Sequence, residues 1–119
     1  MIKKFGLGID VVDVNNFKKI KFASKPNFYK KIFHPSEIKY CLKYKNPYEH
    51  FAGKFAVKEA VKKAINEKIS MLDIITLQSK SKPVVQIKNK KLDNYRFLVS
   101  ITHEKNFAVG VVISEKVND

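Results

Sequence analysis

The stretch from Pro47 to about Asn66 has the residue pattern of one long helix, and its small side chains set how closely that helix can be packed. Asn46 stands at a cap position and Pro47 in the first turn, where a missing N–H does no harm. At about 100° per residue, Gly53, Ala56, Val57, Ala60 and Ala64 fall on one packing face, and Lys54, Lys58 and Lys62 stack into a basic stripe. Glu59 belongs to neither group. It projects between Phe55 and Ala52, and Lys63 follows at the i+4 spacing of an ion pair. A carboxylate at the edge of an apolar arc needs a cation or a lysine to offset lost water, although an ordinary surface pair has the same spacing.

The rest of the chain reads as strands and short helices. Residues 5 to 14 alternate as a strand, with Phe5, Leu7, Ile9 and Val11 on one face and Gly6, Gly8, Asp10, Val12 and Val14 on the other. Asp is disfavoured inside strands, so Asp10 either serves a ligand or caps a turn at the strand's end. Gly8, two residues away on the same face, leaves room beside it for a ligand or another backbone. Residues 15 to 33 suggest short helices or loop, and Pro35 opens a helix running to about Lys43. Strands follow at 72–78, 83–88, 96–102 and 106–114, the last two joined by a hairpin turn at residues 103–106. This order suits an α+β fold in which helices pack on an antiparallel sheet.

Composition narrows the partners. A chain of 119 residues fits one domain and buries only about two-thirds of its unfolded surface, so assembly into oligomers is an easy gain. The net charge of +13 favours polyanionic partners: nucleic acid, an acidic protein, a phosphorylated metabolite or an anionic membrane. Almost all of it is lysine, and Arg96 is the only arginine, which counts against base-specific reading. The single cysteine, Cys41, excludes an internal disulfide and reads as a small buried hydrophobe. No apolar run approaches the ~20 residues of a membrane span, so a soluble cytoplasmic protein is expected. There is no P-loop, no GxGxxG and no G-x-S-x-G elbow. A small nucleic-acid-binding module, with Phe17, Phe22, Phe28 and Tyr29 as stacking platforms, is the alternative that composition alone suggests.

Three motifs carry a more specific resemblance. GLGIDVVDV at residues 6–14, FAGKFAVKEAVKKA at 51–64 and VSITHE at 99–104 resemble, in order and spacing, those of the holo-acyl carrier protein synthases. These are the short-chain phosphopantetheinyl transferases. The resemblance spans nearly the whole chain and implies that family's fold over residues 1–119 as a single domain, an antiparallel sheet against one long and several short helices. It implies transfer of 4′-phosphopantetheine from coenzyme A to a serine of an acidic apo acyl carrier protein, releasing adenosine 3′,5′-bisphosphate, in fatty acid synthesis. It also implies a homotrimer with active sites between subunits.

The resemblance assigns roles residue by residue. Asp10 and Glu59 match the Mg²⁺ carboxylates, and Lys63 matches the lysine beside the phosphate under attack; these three form the catalytic set. Lys54 stands where arginine is usual, near a coenzyme A phosphate. Lys82 and Pro83, in a Ser81-Lys82-Pro83 turn where Gly-Lys-Pro is common, and Thr102 and His103 on the last motif fall beside the nucleotide. Asn16 replaces an arginine that contacts the carrier, leaving Lys18, Lys19 or Lys21 to take over.

Overall fold

The computed structural model describes residues 4–117. Strand β1 (Phe5–Asp13) is followed by short helices α1 (Val14–Lys18) and α2 (Pro26–Lys30), then by α3 (Pro35–Leu42) and the long α4 (Pro47–Ala64). Strands β2 (Ile74–Ser79), β3 (Lys82–Ile87), β4 (Tyr95–Glu104) and β5 (Phe107–Lys116) complete the order. The expected α+β arrangement is present, with β1, β5 and β4 forming one antiparallel sheet in that order and β2–β3 a separate hairpin. Boundaries differ in detail. Val14 begins α1 rather than ending β1, because the Asp13 carboxylate accepts the Asn15 N–H at 2.9 Å and caps the helix. Residues 71–73 form a 3₁₀ turn, so β2 starts at Ile74. His103 lies in β4 and not in a turn, because the hairpin is tighter than expected and Glu104 pairs directly with Phe107.

Helix α4 lies across β1 and β5, and glycines make the approach possible. A methyl built on Gly8 would fall inside the Ala60 carbonyl, and one on Gly6 inside that of Ala64. Gly110 of β5 meets the backbone at Ala56 and Val57 in the same way. The space beside Gly8 is therefore taken by another backbone, not by a ligand. Ser114 secures the helix end by donating to the Ala64 carbonyl at 2.6 Å. The β2–β3 turn holds Lys80 and Ser81 at φ of 51° and 67°, so Ser81 adopts the left-handed conformation that glycine tolerates best.

Two apolar clusters flank α4. Phe17, Tyr29, Phe33 and Phe51 gather with Cys41 under the short helices, and Val57, Val61, Ile74 and Val112 fill the space beneath the strands. The opposite face of the sheet is left uncovered: Phe5, Leu7, Ile9 and Val11 are 54–67% exposed. Leu7 pairs with Ile113 and Ile113 with Leu98, so an apolar row crosses all three strands on that face.

Candidate active site

A cleft of about 220 Å³ opens between the N-terminal half of α4, the β2–β3 hairpin and β4. Lys54, Ser81, Pro83 and His103 line it with Tyr40, His50 and Gln78. The register of β4 brings His103 against Gly53, where an added methyl would come within 3.2 Å of Nε2. That nitrogen lies 3.2 Å from the Glu49 carbonyl, a contact that fixes the ring when Nε2 carries its proton. Lys82 is exposed beside the cleft, whereas Thr102 alternates to the other face of β4, the side of Leu98 and Ser100. A larger apolar groove of about 590 Å³ beside α3 holds none of the residues expected at the site.

The lysine stripe expected on α4 is not a surface feature. Lys54 and Lys58 are buried, and only Lys62 is exposed. The reason is Glu37, which α3 sends into the interior. Its Oε1 accepts the Lys58 ammonium at 2.7 Å and the His34 N–H at 2.8 Å. Its Oε2 accepts the Thr76 N–H at 2.9 Å and the Thr76 hydroxyl at 2.5 Å. Lys58 also donates to the carbonyls of Ile32 and Met71. Lys54 donates to the Thr76 carbonyl and hydroxyl at 3.2 and 3.0 Å and lies over the Tyr40 ring. Burial holds both ammonium groups below the ordinary lysine range, and the Glu37 charge opposes that shift. Sequence reading missed Glu37 because an acid after Pro35 and Ser36 is ordinary in the first turn of a helix, and its partners Lys58 and Thr76 lie on other elements.

The acids occupy the opposite flank of α4. Phe55, Glu59 and Lys63 succeed one another at four-residue spacing along the β1 edge, with Phe55 packed edge-on to Phe17. Lys63 does not pair with Glu59. It donates to Asp10 Oδ1 at 3.1 Å and to the Ile9 carbonyl at 2.9 Å, with its side chain about half exposed. Among the described residues no hydrogen bond or ion pair engages the Glu59 carboxylate, and no side-chain bond joins Asp10, Glu59 or Lys63 to a residue lining the cleft. One chain thus carries Asp10, Glu59 and Lys63 at its β1 edge and Lys54, Pro83 and His103 towards its β4 edge. Among the described residues there is no cluster of three or more His, Cys, Asp or Glu side chains, so a metal here would draw further oxygens from substrate and water.

Cys41 is buried, and desolvation pushes its thiol up to about 12, as a packed hydrophobe requires. Phe17 and Tyr29 are core residues, with Phe22 and Phe28 packed on Tyr29, so Phe17 and Tyr29 offer no stacking platform for bases. Lys18 is half-buried at the end of α1, and Asn16, Lys19 and Lys21 are exposed. No helix among the described residues is long and apolar enough to cross a membrane.

The model of the 4′-phosphopantetheinyl transferase superfamily matches residues 6–112. A holo-[acyl-carrier-protein] synthase of Thermodesulfovibrio yellowstonii is 38% identical, the match covering 91% of this chain and 96% of that protein. The crystal structure of Helicobacter pylori holo-[acyl-carrier-protein] synthase in complex with coenzyme A is similar with a TM-score of 0.78 and 34% identity, covering 92% of this chain and 99% of that one. A Bacillus anthracis holo-(acyl-carrier-protein) synthase in complex with CoA (3',5'-ADP) has a TM-score of 0.79 and 29% identity, covering 96% and 99%.

Proposed function

Because this chain belongs to the 4′-phosphopantetheinyl transferase superfamily, we propose that it is a holo-acyl carrier protein synthase whose substrates meet between two copies of the chain. It transfers 4′-phosphopantetheine from coenzyme A to a serine of apo acyl carrier protein, a step of fatty acid synthesis in the cytoplasm. The observation that carries the reading is the pairing of a cationic cleft with a separate carboxylate edge on one fold of this family.

The cleft suits the nucleotide end of coenzyme A. Its lining contains two histidines and a lysine and no acid, so it is complementary to phosphate. Asp10 and Glu59 are half-buried carboxylates, and two hard oxygen donors together with substrate phosphate and water match the needs of Mg²⁺. Held by Asp10 and Glu59, that ion would neutralise and orient the pyrophosphate. Glu59 accepts the proton of the carrier serine, directly or through a water, as the serine oxygen bonds to the phosphorus bearing the pantetheine arm. The bond from that phosphorus to the bridging oxygen breaks, and adenosine 3′,5′-bisphosphate leaves. Lys63 has room to turn from Asp10 towards the phosphoryl oxygens, where charge builds during transfer.

The separation of the two half-sites is the reason for assembly. They lie towards opposite edges of the β1-β5-β4 sheet, so a head-to-tail contact would place one chain's carboxylates beside its neighbour's cleft. The uncovered apolar row supplies the area for such a contact, and closure as a homotrimer completes every site. Asn16, Lys19 and Lys21 then offer an exposed, mostly basic patch to an acidic carrier. The test is the intact mass of an apo carrier incubated with the protein, coenzyme A and Mg²⁺. A gain of about 340 Da that disappears with EDTA supports the reading. Absence of any gain with several carriers, alongside tight nucleic-acid binding, would reverse it.

A further inference from the structure

His50 of α4 lines the cleft with Lys54 and His103, and no step of the reaction turns on it. Its ring stacks on Tyr44, with centroids 3.7 Å apart and planes 21° apart, and it meets Tyr40 edge-on at 6.0 Å. The Tyr44 hydroxyl donates to that of Tyr40 at 3.1 Å, so three rings brace one another along a single wall. A stacked imidazole presents its nitrogens at the ring edge, where they can meet a ligand in the cleft.

We propose that His50 is a coenzyme A-binding residue that completes, with Lys54 and His103, a cationic wall for a phosphate at the nucleotide end. This rests on the cleft being the coenzyme A site. The wall is one-sided. The groups facing His50 are Tyr40 and Tyr44 from α3 and the turn after it, Glu49 and Lys54 from α4, and His103 from β4. The β2–β3 hairpin adds the uncharged Gln78 and Ser81 across the cleft, with Lys82 beside them. Glu49 is the one acid in this set, and it is exposed and outside the cleft lining.

The same surroundings determine its proton. Desolvation holds His50 below the ordinary histidine range, His103 and Lys54 add to the depression, and Glu49 opposes it. In the free protein His50 is therefore largely neutral at neutral pH. A phosphate dianion in the cleft offsets the repulsion from His103 and Lys54 and favours a proton on the ring. Coenzyme A binding then takes up a proton at His50, and affinity falls as pH rises through the neutral range.

The experiment is calorimetric titration of coenzyme A at pH 6.0, 7.0 and 8.0, in buffers of differing ionisation heat, for the natural chain, His50→Phe and His50→Gln. Each variant is first checked for an unchanged melting curve, and His50→Gln retains a planar polar side chain if His50→Phe folds poorly. The titration of the coenzyme's own phosphate is common to all three proteins and cancels in the comparison. The expected result is a loss of affinity between pH 6.0 and 8.0 about three- to tenfold larger for the natural chain than for either variant, with correspondingly greater proton uptake. Equal pH slopes and equal proton uptake in proteins that all bind coenzyme A would overturn the role of His50 and leave the function standing. Failure of the natural chain to bind coenzyme A at any pH would overturn the site itself.

Discussion

Lys58 and Lys63 sit on one helix, yet only Lys63 has an exposed ammonium, and that difference separates a structural lysine from a chemical one. Lys58 is fully buried against Glu37 and also donates to the Ile32 and Met71 carbonyls. Removing one member of a buried pair leaves the other uncompensated, so Glu37→Ala should lower unfolding free energy by about 3–5 kcal/mol. Urea denaturation would measure it, and a loss below about 1 kcal/mol would mean that Lys58 finds other compensation. Glu59 presents the reverse case. Its carboxylate makes no hydrogen bond or ion pair among the described residues, so it adds little to stability. Glu59→Gln should melt like the natural chain while kcat falls by at least about 10²-fold, the scale of a lost general base. A normal kcat would remove Glu59 from the chemistry.

Between elements, the decisive contact is that of α4 with β1 and β5, made backbone to backbone over Gly6, Gly8 and Gly110. Gly8→Ala should therefore destabilise by about 1–3 kcal/mol or more, because the methyl meets a carbonyl that cannot move alone. An unchanged denaturation midpoint would show that the helix can slide. The Pro47 helix and the alternation of β1 were legible because each follows from local periodicity and punctuation. Which face of β1 lies inward was not. Phe5, Leu7, Ile9 and Val11 are the more apolar set, but the glycine face wins because only it lets α4 approach. The inward turn of Lys54 and Lys58 was equally hidden, since it depends on Glu37 and Thr76 from other elements. Asp10 and Glu59 stood out as acids in unsuitable places. His50 carried no such signal, because a histidine on a helix is unremarkable until the fold places it beside His103.

For the whole molecule, the proposed assembly accounts for both the exposed apolar sheet face and the separation of the carboxylates from the cleft. A chain carrying +13 would repel its copies at long range, so their association must draw on buried apolar area at close range. Leu7→Glu combined with Leu98→Glu should convert the oligomer to a monomer in sedimentation and reduce transfer in parallel. A monomer that kept full turnover would place the complete site within one chain.

Subunit mixing tests whether the carboxylates and the cleft of one site come from different chains. Glu59→Gln disables the carboxylate half-site, His103→Ala disables the cleft, and each is assayed alone at low coenzyme A by intact mass of the carrier. The two are then mixed one to one under conditions of subunit exchange. If sites form between neighbours, about a quarter of them regain both natural halves, and activity rises to about a quarter of the natural level. Activity no higher than the mean of the two separate variants would contradict the account, because each site would then lie within a single chain.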